Sequence, residues 1–111
     1  MVERRAVPRI EPKQPLAASV FMDQPARILD ISSRGAQIEL AAALRPSGAC
    51  DLRIRFAEAE FAARAKVLRC RAWEVGEDDH RGILYRAGLQ FDELDPESLA
   101  CLSSNVLYAE A

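Results

Sequence analysis

The chain has 111 residues, 50% of them hydrophobic and 29% charged, a balance that suits one small globular domain with a real core. A net charge of −2 argues against a global field that draws in nucleic acid or anionic membrane, and no apolar run reaches the ~18 residues needed to span a bilayer. Three widely spaced cysteines, Cys50, Cys70 and Cys101, offer neither a disulfide framework nor a zinc pair, so reduced thiols in a cytoplasmic protein are expected.

Residues 1–14 read as a flexible arm. They carry Arg4, Arg5, Arg9 and Lys13, and Pro8, Pro12 and the following Pro15 oppose a helix there. The arm lacks the apolar core of a secretory signal. From residue 15 to residue 111 the pattern is that of a single domain. "LAASVFM" is a short apolar run closed by the turn "DQP", and "ARILDI" follows. Next, "DISSRGAQIEL" opens with polar groups and Gly35, then alternates Ala36, Ile38 and Leu40 against Gln37 and Glu39. In "DLRIRF", Leu52, Ile54 and Phe56 share one face. The long segment "EFAARAKVLRCRAWE" points Phe61, Ala63, Ala65 and Val67 inward, then shifts phase to Leu68, Cys70 and Ala72. Such a shift predicts a bulge where a sheet curls.

After the acidic loop "VGEDDHRG", the segment "ILYRAGLQF" keeps Ile83, Tyr85, Ala87, Leu89 and Phe91 in one phase. Short strands at roughly ten-residue intervals point to an antiparallel sandwich or small barrel. In the tail, Asp95 suits an N-cap and Pro96 the first helical position, while Leu99, Leu102 and Val106 recur at helical spacing. These signals predict one helix over residues 96–108, lying against a barrel opening.

Two clusters carry candidate chemistry. Arg5 and Arg9, with Arg4 beside them, present planar donor forks that match phosphate oxygens and the guanine O6/N7 edge. A solvated basic terminus would look the same. Asp30, Ser32 and Gly35 suit a turn whose glycine supplies a positive φ. They also suit a nucleotide site, with Asp30 accepting from guanine N1–H and N2–H₂, Ser32 offering a hydroxyl, and Gly35 permitting close backbone approach. Trp73 falls on the phase opposite Leu68 and Cys70, as a base-stacking ring or as a rim residue against the acidic loop. His80, the only histidine, sits in that loop without a metal-ligand set around it. No catalytic set is visible, so neither enzyme activity, nor a metal, nor a cofactor is expected.

Taken in order, RxxxR in "ERRAVPRI", DxSxxG in "ARILDISSRGAQIEL", "LRPSG" before "CDLRIRF", "AKVLRCR" and "AGLQF" resemble the PilZ domain family over nearly the whole chain. The resemblance implies an all-β fold, a six-stranded antiparallel β-barrel with a C-terminal helix, and the bacterial second messenger cyclic di-GMP as ligand. It makes Arg5 and Arg9 the paired arginines, Arg4 the extra arginine of many members, Asp30, Ser32 and Gly35 the second motif, and Trp73 a candidate stacking residue. The arm would fold over the outer barrel face so that both motifs grip one ligand. A receptor of this kind changes the surface it shows to a downstream protein partner in motility or biofilm signalling. No nucleic-acid partner and no membrane insertion are expected. The alternative is a PilZ-fold interaction module of pilus assembly or motility that binds no nucleotide; it has no need of the five matching motif residues.

Overall fold

Six stretches of alternating apolar and polar residues become strands: β1 (Leu16–Val20), β2 (Gln24–Ile31), β3 (Gly35–Leu40), β4 (Ala49–Arg55), β5 (Glu60–Val75) and β6 (Gly82–Phe91). The structure, a computed structural model, describes residues 9–21, 23–76 and 82–107. The strands close into an antiparallel barrel in the order β1-β2-β3-β6-β5-β4. Closure leaves each strand paired on both sides over the barrel wall and removes free sheet edges there. The alternation is cleanest in β4, where Cys50, Leu52 and Ile54 are buried between exposed Asp51, Arg53 and Arg55. The first half of β5 buries Phe61, Ala63, Ala65 and Val67 in the same way, and the Phe61 ring meets that of Phe91 at 5.6 Å between centroids.

Two bulges break this regularity. In β2 the register against β3 shifts between Ile28 and Asp30, leaving Leu29 as the extra residue. In β5 the register against β6 shifts between Val67 and Arg69, leaving Leu68 extra. The bulge expected from the sequence is therefore present, but Leu68 does not turn inward. It is 52% exposed, because an extra residue has no partner opposite it and is squeezed out of the wall. Ala72 and Ile83 are also exposed. The β5–β6 pair runs on to Val75 and Gly82, past the last β3 partner at Leu40 and the last β4 partner at Lys66, so no facing wall remains to cover them.

At the other boundaries, the first strand stops at Val20, and Phe21 is an exposed turn residue with φ of 54°. The loop containing His80 lies outside the described residues. The helix α1 spans Pro96–Leu102, with Asp95 as N-cap accepting from the Ser98 amide at 2.7 Å. It does not continue uniformly to residue 108. A π turn, Ser103–Leu107, follows, where the Asn105 side-chain amide donates to the Cys101 carbonyl at 2.8 Å and competes for an acceptor of the regular helix ladder. Leu102 and Val106 join the barrel core, whereas Leu99 is 41% exposed. Tyr108 lies outside the described residues. Among the described residues no helix is long and apolar enough to cross a membrane.

Candidate functional site

The β2 bulge decides where Asp30 points. Strict alternation from buried Ile28 would send residue 30 inward as well. With Leu29 inserted, Asp30 instead stands opposite Gln37 on the outer face, and Ile31 takes the inward position. The arm meets this spot directly. Ile10 and Ile31 exchange backbone hydrogen bonds of 2.8 and 3.0 Å, and the Arg9 guanidinium donates through Nη1 to Asp30 Oδ1 at 2.9 Å. Both side chains are only about one-fifth exposed, at 21% and 19%. Arg9 Nε is buried without a hydrogen-bond partner among the described residues, so this guanidinium keeps an unfilled donor at the site.

The loop after Asp30 is closed by its own polar groups. The Ser32 amide donates to the Gly35 carbonyl at 2.8 Å, and the Arg34 amide donates to Ser32 Oγ at 3.1 Å. Ser32 is buried, the one buried polar side chain among the described residues. The Phe91 amide donates to the Arg34 carbonyl at 2.7 Å and fastens the loop to the end of β6. Gly35 has no positive φ. Its role is close approach: it pairs with Gln90, and a Cβ at this position would overlap the Leu89 carbonyl oxygen.

Beyond Asp30 the outer face continues across β3, β6 and β5. A groove of about 300 Å³ is lined there by Gln37, Arg69, Arg71, Trp73, Arg86, Ala87 and Gly88. Glu39 accepts from Arg27 Nη2 at 3.2 Å and from Arg86 Nε at 3.0 Å, and the Arg86 guanidinium lies 4.6 Å from the centre of the Trp73 ring. Such a cation over an indole face is a favourable contact that holds the half-exposed ring in place. Among the described residues no group of three or more His, Cys, Asp or Glu side chains is placed to hold a metal ion.

The family model of the PilZ domain matches residues 3–107. The chain belongs to the PilZ domain family. Its fold is shared by the PilZ domain with c-di-GMP of YcgR from Escherichia coli (TM-score 0.73, 18% identity, covering 97% of this chain and 92% of that one). It is shared too by the Bacillus subtilis inhibitor of motility MotI/DgrA (TM-score 0.70, 16% identity, 98% and 52% covered). A third neighbour is the K. pneumonia MrkH–c-di-GMP complex (TM-score 0.65, 17% identity, 98% and 55% covered), so the chain spans about half of each of the last two. No match is found among curated proteins.

In this PilZ domain the structure brings Arg9, Asp30, Ser32 and Gly35 to one corner of the outer barrel face. Arg4 and Arg5 lie outside the described residues. Trp73 is on the same face but not in the same corner. It stands opposite Leu84, four residues along β5 from Arg69 and three strands across from Asp30, roughly 19 Å away at usual strand spacings. One guanine therefore does not reach Asp30 and Trp73 together. Gln37 and Gly88, which floor the space between them, were missed in the sequence reading. Their only signal there is the outward phase of Gln37, and nothing in "AGLQF" marks Gly88 as a gap in a groove.

Proposed function

We propose that this PilZ domain is a cytoplasmic receptor for cyclic di-GMP with no catalytic activity of its own. The observation that carries the reading is the meeting of the two motifs, with Arg9 held against Asp30 beside Ser32 and an unfilled Arg9 donor at the junction. Asp30 accepts from the guanine N1–H and N2–H₂ edge, and the forks of Arg5 and Arg9 bind phosphate oxygens, with Arg4 adding charge. Ser32 and Gly35 shape the loop that presents Asp30, and Trp73 serves a base at the far end of the face. The family supports this reading as a ligand-binding regulatory domain, and so do two neighbours of the same fold, the YcgR PilZ domain with c-di-GMP and the MrkH–c-di-GMP complex. Bound ligand would draw the arm ahead of Arg9 onto the barrel and alter the surface read by a protein partner.

Isothermal titration of cyclic di-GMP into the purified chain tests the proposal. Binding is expected, and Arg5→Ala, Arg9→Ala and Asp30→Ala should each cost roughly 1.5–3 kcal/mol of affinity, the scale of hydrogen bonds to charged groups. Arg9→Ala and Asp30→Ala also leave one charge of a largely buried pair without its partner, so their melting temperatures should fall, and affinities are compared at a temperature where each variant is folded. An unliganded wild type, or unchanged affinity in all three variants, would overturn the receptor reading.

A further inference from the structure

The two bulges lie at the same level of the barrel. Asp30 pairs with Gln37, Gln37 with Gly88, and Gly88 with Arg69, so the residue that follows each bulge ends one continuous row across four strands. Strict alternation from buried Val67 would turn Arg69 inward, and Arg71 and Trp73 with it. The extra residue Leu68 sends all three to the outer face instead. Bulges of this kind re-aim side chains beside binding sites. Here one bulge aims a carboxylate and the other a guanidinium at the same strip of surface.

The strip is built to receive negative charge. Arg71 stands directly across from Arg86, and like charges opposite one another on a sheet face are destabilising. Glu39 compensates Arg86, but neither Arg69 nor Arg71 makes a hydrogen bond or ion pair among the described residues. Gly88, buried beneath the Arg69 side chain, adds no side chain of its own between them and Asp30. The glycine is not demanded by its backbone or by crowding. It has no positive φ, and the nearest atoms a Cβ there would meet are Arg69 Cγ, Nε and Cζ, each at an ordinary 3.6 Å. The same contacts show that the Arg69 side chain lies across Gly88, one strand nearer to Asp30. About two strand spacings, ~10 Å, then separate its guanidinium from the Asp30 strand. A nucleotide whose base edge sits on Asp30 bridges that gap with its phosphate.

We propose that Arg69, with Arg71 beside it, binds phosphate of the cyclic dinucleotide, which lies across β3 and β6 over the floor at Gly88. The proposal rests on the receptor reading above and extends its site from the two sequence motifs to β5. Arg69→Gln and Arg71→Gln test it, because glutamine keeps an aliphatic stem and removes only the charge. Titrated with cyclic di-GMP, each variant should bind about tenfold or more weakly than the wild type. The double variant should also lose affinity less steeply than the wild type as sodium chloride is raised, since fewer charge contacts remain to be screened. Circular dichroism melts should be unchanged for Arg69→Gln and no lower for Arg71→Gln, since both side chains are exposed and the second change removes a like charge opposite Arg86. If wild type binds, Asp30→Ala binds more weakly, and the Gln variants bind like wild type, the β5 site is wrong and the receptor reading stands. If the wild type does not bind, both fall.

Discussion

Arg9 and Asp30 are twenty-one residues apart in sequence and 2.9 Å apart in space. At roughly one-fifth exposure both charges have lost most of their hydration, which offsets much of their attraction; what the pair fixes is the direction of the two side chains. Ser32, two residues on, has the opposite balance, since its buried hydroxyl serves the loop backbone. Cys50 is the residue whose ionisation the fold resists. Its thiol is buried on β4, and burial first, then the charge of Asp51, raises its pKa above the ordinary 9.0, while Arg64 acts weakly the other way. The folded state thus holds this proton at a pH where the unfolded chain has released it. The stability from this group is complete below about pH 9 and is lost as pH rises through the folded pKa. Thermal melts between about pH 8 and about pH 10 should therefore fall more steeply for the wild type than for Cys50→Ala. Parallel slopes would show that the thiol is not desolvated.

At the scale of the strands, two glycines that share the β3–β6 neighbourhood do different work. Gly35 lets β3 lie against the Leu89 carbonyl, where any Cβ collides with backbone. Gly88 faces the outer groove, where a Cβ finds ordinary contact with a movable side chain. Gly35→Ala should cost at least ~1–3 kcal/mol by forcing the strands apart, and Gly35→Val more, whereas Gly88→Ala should leave the urea midpoint almost unchanged. A Gly35→Ala midpoint equal to wild type would mean that β3 moves away from β6 without penalty. The bulges act at this scale as well. Each adds one residue to a strand and thereby inverts the side-chain phase of everything beyond it.

For the whole molecule, barrel closure brings the arm, the β2–β3 loop and the end of β6 into one linked assembly. Ile10 is bonded to Ile31, and Arg34 is bonded to Phe91, just before the β6–α1 connection. Fixing each further arm residue costs about 1–2 kcal/mol, which ligand contacts must exceed before any free energy remains to bias a partner equilibrium. Only a partner that distinguishes the two arm states responds to that bias. Amide hydrogen exchange is the measure: adding cyclic di-GMP should raise protection over residues 4–10 and from Asp30 to Gly35. Tight binding without a change in the arm would refute the switch while leaving the receptor intact.

Features that depend on neighbours along the chain are legible in the amino-acid order. Alternation was enough to mark the inward residues Leu52, Ile54, Phe61 and Val67, Asp95 and Pro96 marked the helix start, and a break in phase near Leu68 marked a bulge. The spacing of Arg5 and Arg9, and of Asp30, Ser32 and Gly35, was enough to suggest the family. Which way the chain faces after a bulge follows from pairing in the closed barrel. Leu68 is expelled rather than buried, and Arg69 and Arg71 turn outward, because register is set by hydrogen bonds to a strand some twenty residues away. The row Asp30–Gln37–Gly88–Arg69 joins four segments whose order in the barrel no local pattern contains. Gly35 likewise reads in sequence as a turn glycine, and its true constraint comes from a carbonyl of β6, present only once the barrel closes.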